Sequence, residues 1–348
     1  MKKKLLIVSW NGVSDKGGLE RVTQYMLQFW KDTFDVEIID FKTMKNKWIY
    51  RKLLNRHYVL DALLVSFYTN RRIKKCKKAH TKVVTQGFNA PYVKADLIFA
   101  HGTTRGYRAA EEGANPKWHL NQYFEKVGMR SARKVVAVSN HVKKECHELY
   151  HIPKEKICVL ENCVDTGAFY PLEEKNPPVK YTVLFSGRLE TMKGLNKLVE
   201  LAKYIESIPD TQLLIATPNS VNTELFEHLE HTKFFVGLKK EKMNSFYNMG
   251  TVMFFPSLYE GFGMVTTECL SAGVPVIGRK VGAVSDLSEK GQAGVLLMKD
   301  TMEGVFQQIK DASDSYRAYE DRYNLHRSME ERYSHKDYGK RLLHLWER

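Results

Sequence analysis

The sequence predicts an α/β protein with two doubly wound parallel sheets. Short apolar runs, typical of buried strands, alternate with segments of helical spacing in both halves of the chain. The segment 171–180, rich in proline and charge, separates the halves. The chain has 348 residues, 43% of them hydrophobic, which is enough to fill two cores. We therefore expect one domain over 1–170 and a second over 171–330, followed by a helix over 331–348.

The first half shows strands and helical segments in alternation. A helix is predicted at Gly18–Phe29, and strands at Leu5–Trp10, Val36–Ile39, Lys82–Thr85, Leu97–Ala100 and Lys134–Val138. The first apolar run follows a basic start, but it is too short for a signal peptide, so we interpret it as a buried strand. No segment reaches about 18 uninterrupted apolar residues, and no transmembrane helix is predicted.

The second half repeats the alternation. Strands are predicted at Thr182–Phe185, Gln212–Ala216, Phe234–Val236, Thr251–Phe255, Val274–Ile277 and Val295–Met298. A helix is expected over 195–205, where apolar residues recur at helical spacing, and another over 264–272. In a parallel sheet the helix N-termini gather at the carboxyl edge of the strands, where anionic ligands bind.

Two glutamates around a glycine loop form the most informative motif. Glu260 follows the strand at 251–255, and Glu268 is expected one turn into the next helix, facing a cleft. A carboxylate can accept two hydrogen bonds from a vicinal diol, so Glu268 suits a ribose and Glu260 a sugar ring. The motif predicts a sugar-nucleotide site. The alternative is that both glutamates are solvated surface charges.

A second motif places two cations after another strand. The strand at 182–185 runs into Gly187, and Arg188 and Lys193 follow. Arg offers a planar fork of donors and Lys a point charge, so together they can clamp a diphosphate and neutralise charge on a departing phosphate. Cations near a helix N-terminus are mildly unfavourable unless an anion is present. The alternative is a pair of surface cations near a helix start.

Together these motifs resemble family 4 of the retaining GT-B glycosyltransferases (glycosyltransferase group 1). The segments 186–194 and 256–263 carry the resemblance, and Glu260 and Glu268 match the spacing of the family's glutamate pair, with seven residues between them. Further similarities extend over most of the chain: 17–22 is similar to the family's N-terminal glycine loop, 136–140 to a strand that leads into the interdomain cleft, and 162–165 to a hinge element, with Cys163 in place of the usual glycine.

The resemblance implies a fold, a reaction and a separate role for each domain. The fold would be GT-B, with two Rossmann-like domains facing a deep interdomain cleft. The first domain would bind the acceptor at a membrane, the second would bind the nucleotide sugar, and the final helix would cross back to the first. The reaction would be retaining transfer from a nucleotide-diphosphate sugar, with UDP favoured, to a lipid-linked or lipopolysaccharide-type saccharide in surface polysaccharide assembly. No cofactor is expected.

The resemblance also assigns residues. Catalytic roles would fall to His101, Glu260, Arg188 and Lys193, and donor contacts to Gly17, Gly18, Arg188, Lys193, Glu260, Gly261, Phe262, Gly263, Met264 and Glu268. His101 ends an apolar strand and is similar in position to the family's cleft histidine; the alternative is a structural histidine. A nucleophilic Glu260 is disfavoured because the resemblance assigns it to donor binding. Without an Asp-x-Asp triplet, no metal is expected.

The charge is uneven along the chain. Residues 1–170 hold 31 Lys and Arg against 16 Asp and Glu, whereas 171–348 hold 23 against 24. Between 42 and 82 there are 13 basic residues and one acid, interleaved with aromatic residues, a composition typical of segments on anionic membranes. The expected headgroup contacts are Arg71, Arg72, Lys74, Lys75, Lys77 and Lys78. The alternative is a solvated basic helix pair. We do not expect a nucleic-acid partner, because no recognisable binding module accompanies the charge.

Two further functions remain open at this point. One is a catalytically inactive sugar-nucleotide-binding protein, which the departure at Cys163 slightly favours. The other, a dinucleotide-dependent oxidoreductase, is disfavoured because no Gly-x-Gly-x-x-Gly follows the first strand. Five cysteines without a Cys-x-x-Cys pair suggest neither a zinc ribbon nor a disulfide framework. We therefore expect a cytoplasmic protein, peripheral on the inner face of the cell membrane.

Overall fold

A computed structural model describes residues 2–13, 17–46, 50, 52, 54, 58–76, 81–111, 117–174 and 177–346. The chain forms two compact units. The first comprises Met1–Asn162 and Tyr338–Arg348, and the second comprises Cys163–Asp337. The C-terminal segment therefore belongs to the first unit.

The first unit is built on a six-stranded sheet. Its strands are β1 (Lys3–Val8), β2 (Phe34–Ile39), β3 (Thr81–Gln86), β4 (Leu97–Ala100), β5 (Lys134–Ala137) and β6 (Ile157–Val159). Their order is β2-β1-β3-β4-β5-β6, and all neighbours are parallel. The apolar residues of β1 from Leu5 to Val8 are fully buried, as expected when helices cover both faces of a parallel sheet.

Helices connect these strands. They are α1 (Gly18–Trp30), α2 (Phe41–Lys45), α3 (Tyr58–Lys75), α4 (Thr104–Ala110), α5 (Lys117–Ser131) and α6 (Asn140–Glu148). Thr103 and Ser139 cap α4 and α6, because each side-chain oxygen accepts a backbone N–H of the first turn. Trp30 is fully buried, and its ring centroid lies 5.7 Å from that of Trp346. This aromatic contact holds the C-terminal segment on the first unit.

The second unit has its own six-stranded sheet. Its strands are β7 (Tyr181–Ser186), β8 (Thr211–Thr217), β9 (Thr232–Val236), β10 (Val252–Phe255), β11 (Val276–Gly278) and β12 (Val295–Leu297). The order is β12-β11-β10-β7-β8-β9, again with all neighbours parallel. Because β7 and β10 are adjacent at the middle of the sheet, the loops that follow them meet at its carboxyl edge.

The helices of the second unit cover this sheet. They are α7 (Leu195–Ile205), α8 (Lys240–Met249), α9 (Met264–Ser271), α10 (Gly282–Glu289), α11 (Met302–Ser315) and α12 (Tyr319–Tyr333), and α13 (His335–His344) follows and continues into the first unit. Leu198 and Leu201 of α7 and Val305 of α11 are fully buried in one core cluster against the sheet. The period of 3.6 residues brings such positions to one helix face.

The prediction of an α/β protein with two doubly wound parallel sheets is confirmed. All eleven predicted strands are present, and their observed ends differ from the predicted ends by at most two residues. The sequence analysis missed β6, which has only three residues, too few for a periodic signal. In the described part of the chain, no helix combines the length and the apolar character needed to cross a bilayer.

Candidate functional site

The centre of the candidate site in the second unit is an ion pair between Lys193 and Glu260. Lys193 ends a short 3-10 turn after β7, and Glu260 lies in the loop after β10. Lys193 Nζ lies 2.5 Å from Glu260 Oε1, and Ser257 Oγ donates to the same oxygen at 3.3 Å. The side chains of Lys193 and Glu260 are 25% and 14% exposed, so the pair is shielded but within reach of a ligand.

Gly194 allows the two loops to approach. Its φ is +79°, and a Cβ at this position would overlap the backbone carbonyl of Pro256. Leu258 N–H also donates to the carbonyl oxygen of Met192 at 2.9 Å. A side chain at 194 would both strain the backbone and push the loops apart. The glycine after Lys193 is therefore a condition for the ion pair.

The glycine loop after Glu260 is fixed by the start of α10. Gly263 has φ +84° and precedes α9, which begins at Met264. The carbonyl of Phe262 accepts the N–H of Ala283 at 2.5 Å, and Gly282, with φ +50°, leaves no room for a Cβ beside that carbonyl. The Phe262 side chain is 4% exposed. Any donor contact at Gly261, Phe262, Gly263 and Met264 would therefore involve backbone groups around the buried ring.

Glu268 is more enclosed than the sequence suggested. It is 4% exposed, and its Oε2 accepts a hydrogen bond of 2.9 Å from the hydroxyl of Tyr247, which is fully buried on α8. Burial raises the pKa of Tyr247 well above its ordinary value, and the negative charge of Glu268 raises it further. The phenol therefore stays protonated and fixes one carboxylate oxygen. The ribose contact of Glu268 stays a prediction.

Arg188 is the most exposed predicted residue of this unit. Its side chain is 62% exposed, and Nη2 lies 3.0 Å from Glu190 Oε1. An exposed ion pair of this kind is weak, so the guanidinium can change partners at small cost. Arg188 and Lys193 follow the same strand, β7, on the same edge of the sheet.

In the first unit, a carboxylate lies next to the predicted glycine pair. Gly17 precedes α1 with an extended backbone, Gly18 is the first helical residue, and a Cβ on Gly17 would meet Glu20 Oε2. Glu20 Oε1 accepts from Asn11 Nδ2 at 2.7 Å. A phosphate at Gly17 would have to tolerate this negative charge, which the sequence analysis did not anticipate. The donor role of Gly17 and Gly18 stays a prediction.

His101 directly follows β4 at the carboxyl edge of the first sheet. Its Nε2 lies 2.5 Å from Oε1 of Gln86, the last residue of β3. Burial lowers the pKa of His101 to about 4, so the imidazole is neutral at physiological pH. The two side chains line a cavity of about 150 Å³.

A buried carboxyl group supports the segment that carries His101. Glu125 of α5 accepts from the backbone N–H of Thr104 at 2.9 Å, from its hydroxyl at 2.7 Å, and from the hydroxyl of Tyr150. Burial raises the pKa of Glu125 to about 7, although the hydrogen bonds from Tyr150 and Thr104 oppose the shift. Glu125 also lines the cavity beside His101.

Sequence reasoning missed Gln86, Tyr247 and Glu125. Gln86 had a usable signal, since it is a polar residue at the carboxyl end of a predicted buried strand. Tyr247 and Glu125 had none. They lie on helices, and their partners are 21 residues or more away in the sequence.

The predicted membrane segment falls mainly on α3. Arg71, Lys74 and Lys75 are exposed at its end, as are Leu63 and Phe67, with 44% and 60% exposure, earlier on the same helix. Arg72 differs, because its guanidinium forms two hydrogen bonds of 2.6 and 2.8 Å with Glu37. Burial tends to raise the pKa of Glu37, but Arg72 and Lys4 hold it below its ordinary value. Lys77 and Lys78 lie outside the described residues.

The chain spans a little over half the length of the curated relatives that it matches. The α-maltose-1-phosphate synthase of Mycolicibacterium smegmatis is 24% identical over 222 residues, which are 56% of each chain. The capsular polysaccharide biosynthesis glycosyltransferase CapM of Staphylococcus aureus is 27% identical over 225 residues, 60% of this chain and 59% of CapM.

Solved structures match over nearly the whole chain. Sucrose-phosphate synthase from Thermosynechococcus elongatus has a TM-score of 0.78 at 16% identity, with 99% of this chain and 98% of that chain covered. Anabaena Alr3699/HepE in complex with UDP and glucose has a TM-score of 0.73 at 14% identity, with 99% of both chains covered. At such identities the likeness shows the fold alone, which is the GT-B architecture.

Two family profiles cover the two halves of the chain. Residues 16–168 match the family described as Glycosyltransferase Family 4, and residues 171–331 match Glycosyl transferases group 1. The second match contains Lys193, Glu260 and Glu268, and the first contains His101. The chain belongs to the group 1 glycosyltransferases of family 4.

Proposed function

We propose that this chain is a retaining glycosyltransferase that moves a sugar from a UDP-sugar to a lipid-linked or lipopolysaccharide-type saccharide in surface polysaccharide assembly. The observation that carries the proposal is the ion pair of Lys193 and Glu260 in the loops that follow β7 and β10, with Glu268 on the helix that begins just after the second loop. The UDP and glucose in the HepE structure and the capsular polysaccharide function of CapM support the choice of donor and acceptor.

The ion pair gives the site a way to exchange partners. In the structure, Lys193 neutralises Glu260. A bound diphosphate would attract the ammonium group, and the carboxylate of Glu260 would then accept hydrogen bonds from sugar hydroxyls. Arg188, which is exposed and weakly paired, would supply the second cation. Both cations would then face the diphosphate, and Glu260 would be left to bind the sugar.

The reaction follows from this charge arrangement. The acceptor hydroxyl would attack the anomeric carbon from the face that the nucleotide leaves. A bond forms between the acceptor oxygen and the anomeric carbon, the bond from that carbon to the phosphate oxygen breaks, and the hydroxyl proton passes to the departing UDP. Lys193 and Arg188 would stabilise the charge that grows on the diphosphate, and the step requires no metal ion.

The first unit would bind the acceptor and present it from a membrane surface. Its excess of basic residues, and the exposed Arg71, Lys74 and Lys75 beside Leu63 and Phe67, suit the inner face of the cell membrane, with anionic headgroups and an apolar interface. Arg72 contributes less, since Glu37 already neutralises its charge. His101 would contact a hydroxyl of the transferred sugar.

A thermal-shift screen tests the donor assignment. The protein would be heated with UDP, GDP, ADP, CMP, dTDP or NAD in EDTA, and we expect UDP to give the largest rise in Tm. A larger rise in Tm with another diphosphate would assign that nucleotide, in place of UDP, to the donor. UDP binding without turnover of any UDP-sugar would favour the second candidate, an inactive sugar-nucleotide-binding protein, for which Cys163 in place of the family's glycine is the supporting observation.

A further inference from the structure

The side chains of Gln86 and His101 meet because their strands are neighbours. Gln86 ends β3, and His101 follows β4, which pairs with β3 in parallel with Gln86 opposite Phe99. The two residues therefore leave the sheet at the same edge. Gln86 is fully buried, and its Oε1 lies 2.5 Å from His101 Nε2.

A contact on the other side of Gln86 fixes the direction of its amide. Gln86 Nε2 donates to Sδ of Met26, on α1, at 3.0 Å. In the reverse orientation the amide oxygen would face the sulfur, and two electron-rich atoms would be in contact. The amide oxygen is therefore turned toward His101. Because an amide oxygen only accepts, the hydrogen of this bond must reside on Nε2 of the imidazole.

We propose that Gln86 is a positioning residue that fixes the neutral imidazole of His101 in the tautomer with its proton on Nε2, so that Nδ1 acts as a hydrogen-bond acceptor. The imidazole ring lies nearly parallel to the ring of Phe99, at an interplanar angle of 21° and a centroid distance of 6.3 Å. Among the described residues that line the adjoining cavity, the other ionisable group is Glu125, whose carboxyl is bonded to Thr104 and Tyr150.

The proton position decides what His101 can recognise. An Nδ1 acceptor binds a group that carries a hydrogen, such as a hydroxyl, whereas an imidazolium or the other tautomer would present a donor. On the proposed function, on which this step rests, the hydroxyl belongs to a sugar. Gln86 would then set the preference for a free hydroxyl over a carboxylate or phosphate, which an imidazolium would favour.

Nitrogen NMR of the full-length protein tests the proposal without a substrate. Histidine labelled with ¹⁵N is incorporated, and the His101 signals are identified by their loss in His101→Asn. We expect a protonated Nε2 and an unprotonated Nδ1 from pH 5 to 8. In Gln86→Leu we expect a mixture of tautomers, and in Gln86→Glu the added carboxylate should raise the pKa of His101 into the observed range.

Gln212→Leu is the matched control. Gln212 is a buried glutamine on β8 of the second unit, where its Nε2 donates to Thr182 Oγ1 at 3.2 Å. It reports the loss of a buried amide away from His101 and should leave the His101 signals unchanged. For donor hydrolysis, Gln86→Leu should lower kcat/KM about tenfold relative to this control, as for loss of one oriented hydrogen bond.

Two results would overturn the proposal. One is a wild-type His101 with its proton on Nδ1 or with an ordinary pKa. The other is a Gln86→Leu protein that keeps the wild-type tautomer. Failure of the proposed function gives a different result, namely no turnover by wild type with any nucleotide sugar, while the wild-type spectrum still decides the tautomer. Should Gln86→Leu fail to fold, the wild-type spectrum and the Gln86→Glu titration suffice.

Discussion

The candidate sites of the two units lie at equivalent edges of similar sheets but differ in charge. In the second unit, Lys193 and Glu260 are both charged, partly exposed and paired with each other. In the first, His101 is neutral and paired with an uncharged amide. The same fold thus supplies one edge suited to a charged, exchangeable ligand group and another suited to hydroxyls. Changes in the second unit should mainly affect diphosphate binding and chemistry, and changes in the first should affect orientation and pH response.

The largest expected effect is that of Lys193→Ala. Removal of the ammonium group leaves Glu260 unpaired and removes a cation from the departing diphosphate, so we expect kcat to fall by about 10²–10³, the usual loss for one preorganised electrostatic partner. Steady-state kinetics with UDP-sugar measure this. Lys197→Ala is the control, because Lys197 forms a surface pair with Glu200, three residues further along. Equal losses in the two variants would contradict the assignment.

Membrane binding should depend on the exposed end of α3. Simultaneous Arg71→Ala, Lys74→Ala and Lys75→Ala should weaken binding to vesicles with anionic lipid by about 10², since each cation near the surface contributes about 1 kcal/mol. Vesicle co-sedimentation measures the binding, and the rate of donor hydrolysis should change little.

The matched control removes three exposed lysines of the second unit, Lys203, Lys233 and Lys239. It changes net charge equally and should retain binding. Vesicle binding that is indifferent to salt, or lost equally in both variants, would rule out docking through α3.

Nucleotide affinity should depend on Glu268 and, less strongly, on Tyr247. Glu268→Ala removes the carboxylate predicted to accept the ribose hydroxyls and should weaken UDP binding by about 10–100-fold. Tyr247→Phe removes only the hydroxyl that orients this carboxylate, and we expect a smaller loss. Calorimetric titration compares UDP with 2′-deoxy-UDP. If Glu268→Ala binds both ligands as wild type does, the ribose assignment is wrong.

The smallest effect concerns stability and pH. The folded pKa of Glu125, about 7, lies above its ordinary value of 4.5, so its contribution to the free energy of unfolding is complete below about pH 4.5 and is lost as pH rises through 7. Glu125→Gln removes this loss and should raise Tm at pH 8 by a few degrees relative to wild type, with little change at pH 5.

Thermal unfolding at the two pH values measures the effect of Glu125→Gln, and Glu155→Gln, at an exposed site in the same unit, is the control. A Glu125→Gln protein that is less stable than wild type at pH 8 would show that the ionised carboxylate stabilises the segment that carries His101.

The sequence was most informative where local patterns determine structure. Apolar runs located eleven strands, and the spacing of Glu260 and Glu268 located the loop and helix at the second sheet. The pairings that orient the site were not predictable in this way, because they join residues distant in sequence. Met26 and Gln86 are 60 residues apart, and Lys193 and Glu260 are 67 apart. Periodicity does not encode which strand-end side chains meet, since that depends on strand order.

The sequence also did not predict the burial of Glu268 or the ion pair of Arg72. Glu268 is predicted to face a cleft one turn into a helix, but the structure buries it with its carboxylate against the hydroxyl of Tyr247. The basic run at 71–78 suggested uniform headgroup contacts, but Glu37 of β2 neutralises Arg72. A partner from a distant strand or helix changed the role of each residue.

The most direct test of the central claim is proton NMR of the sugar released from an α-linked UDP-sugar by wild-type protein in EDTA. A retaining, metal-independent transferase should release the α-anomer first when water replaces the acceptor, with Lys193→Ala markedly slower. Initial release of the β-anomer would contradict retention. No release from any UDP-sugar, with UDP still bound, would contradict the catalytic claim itself.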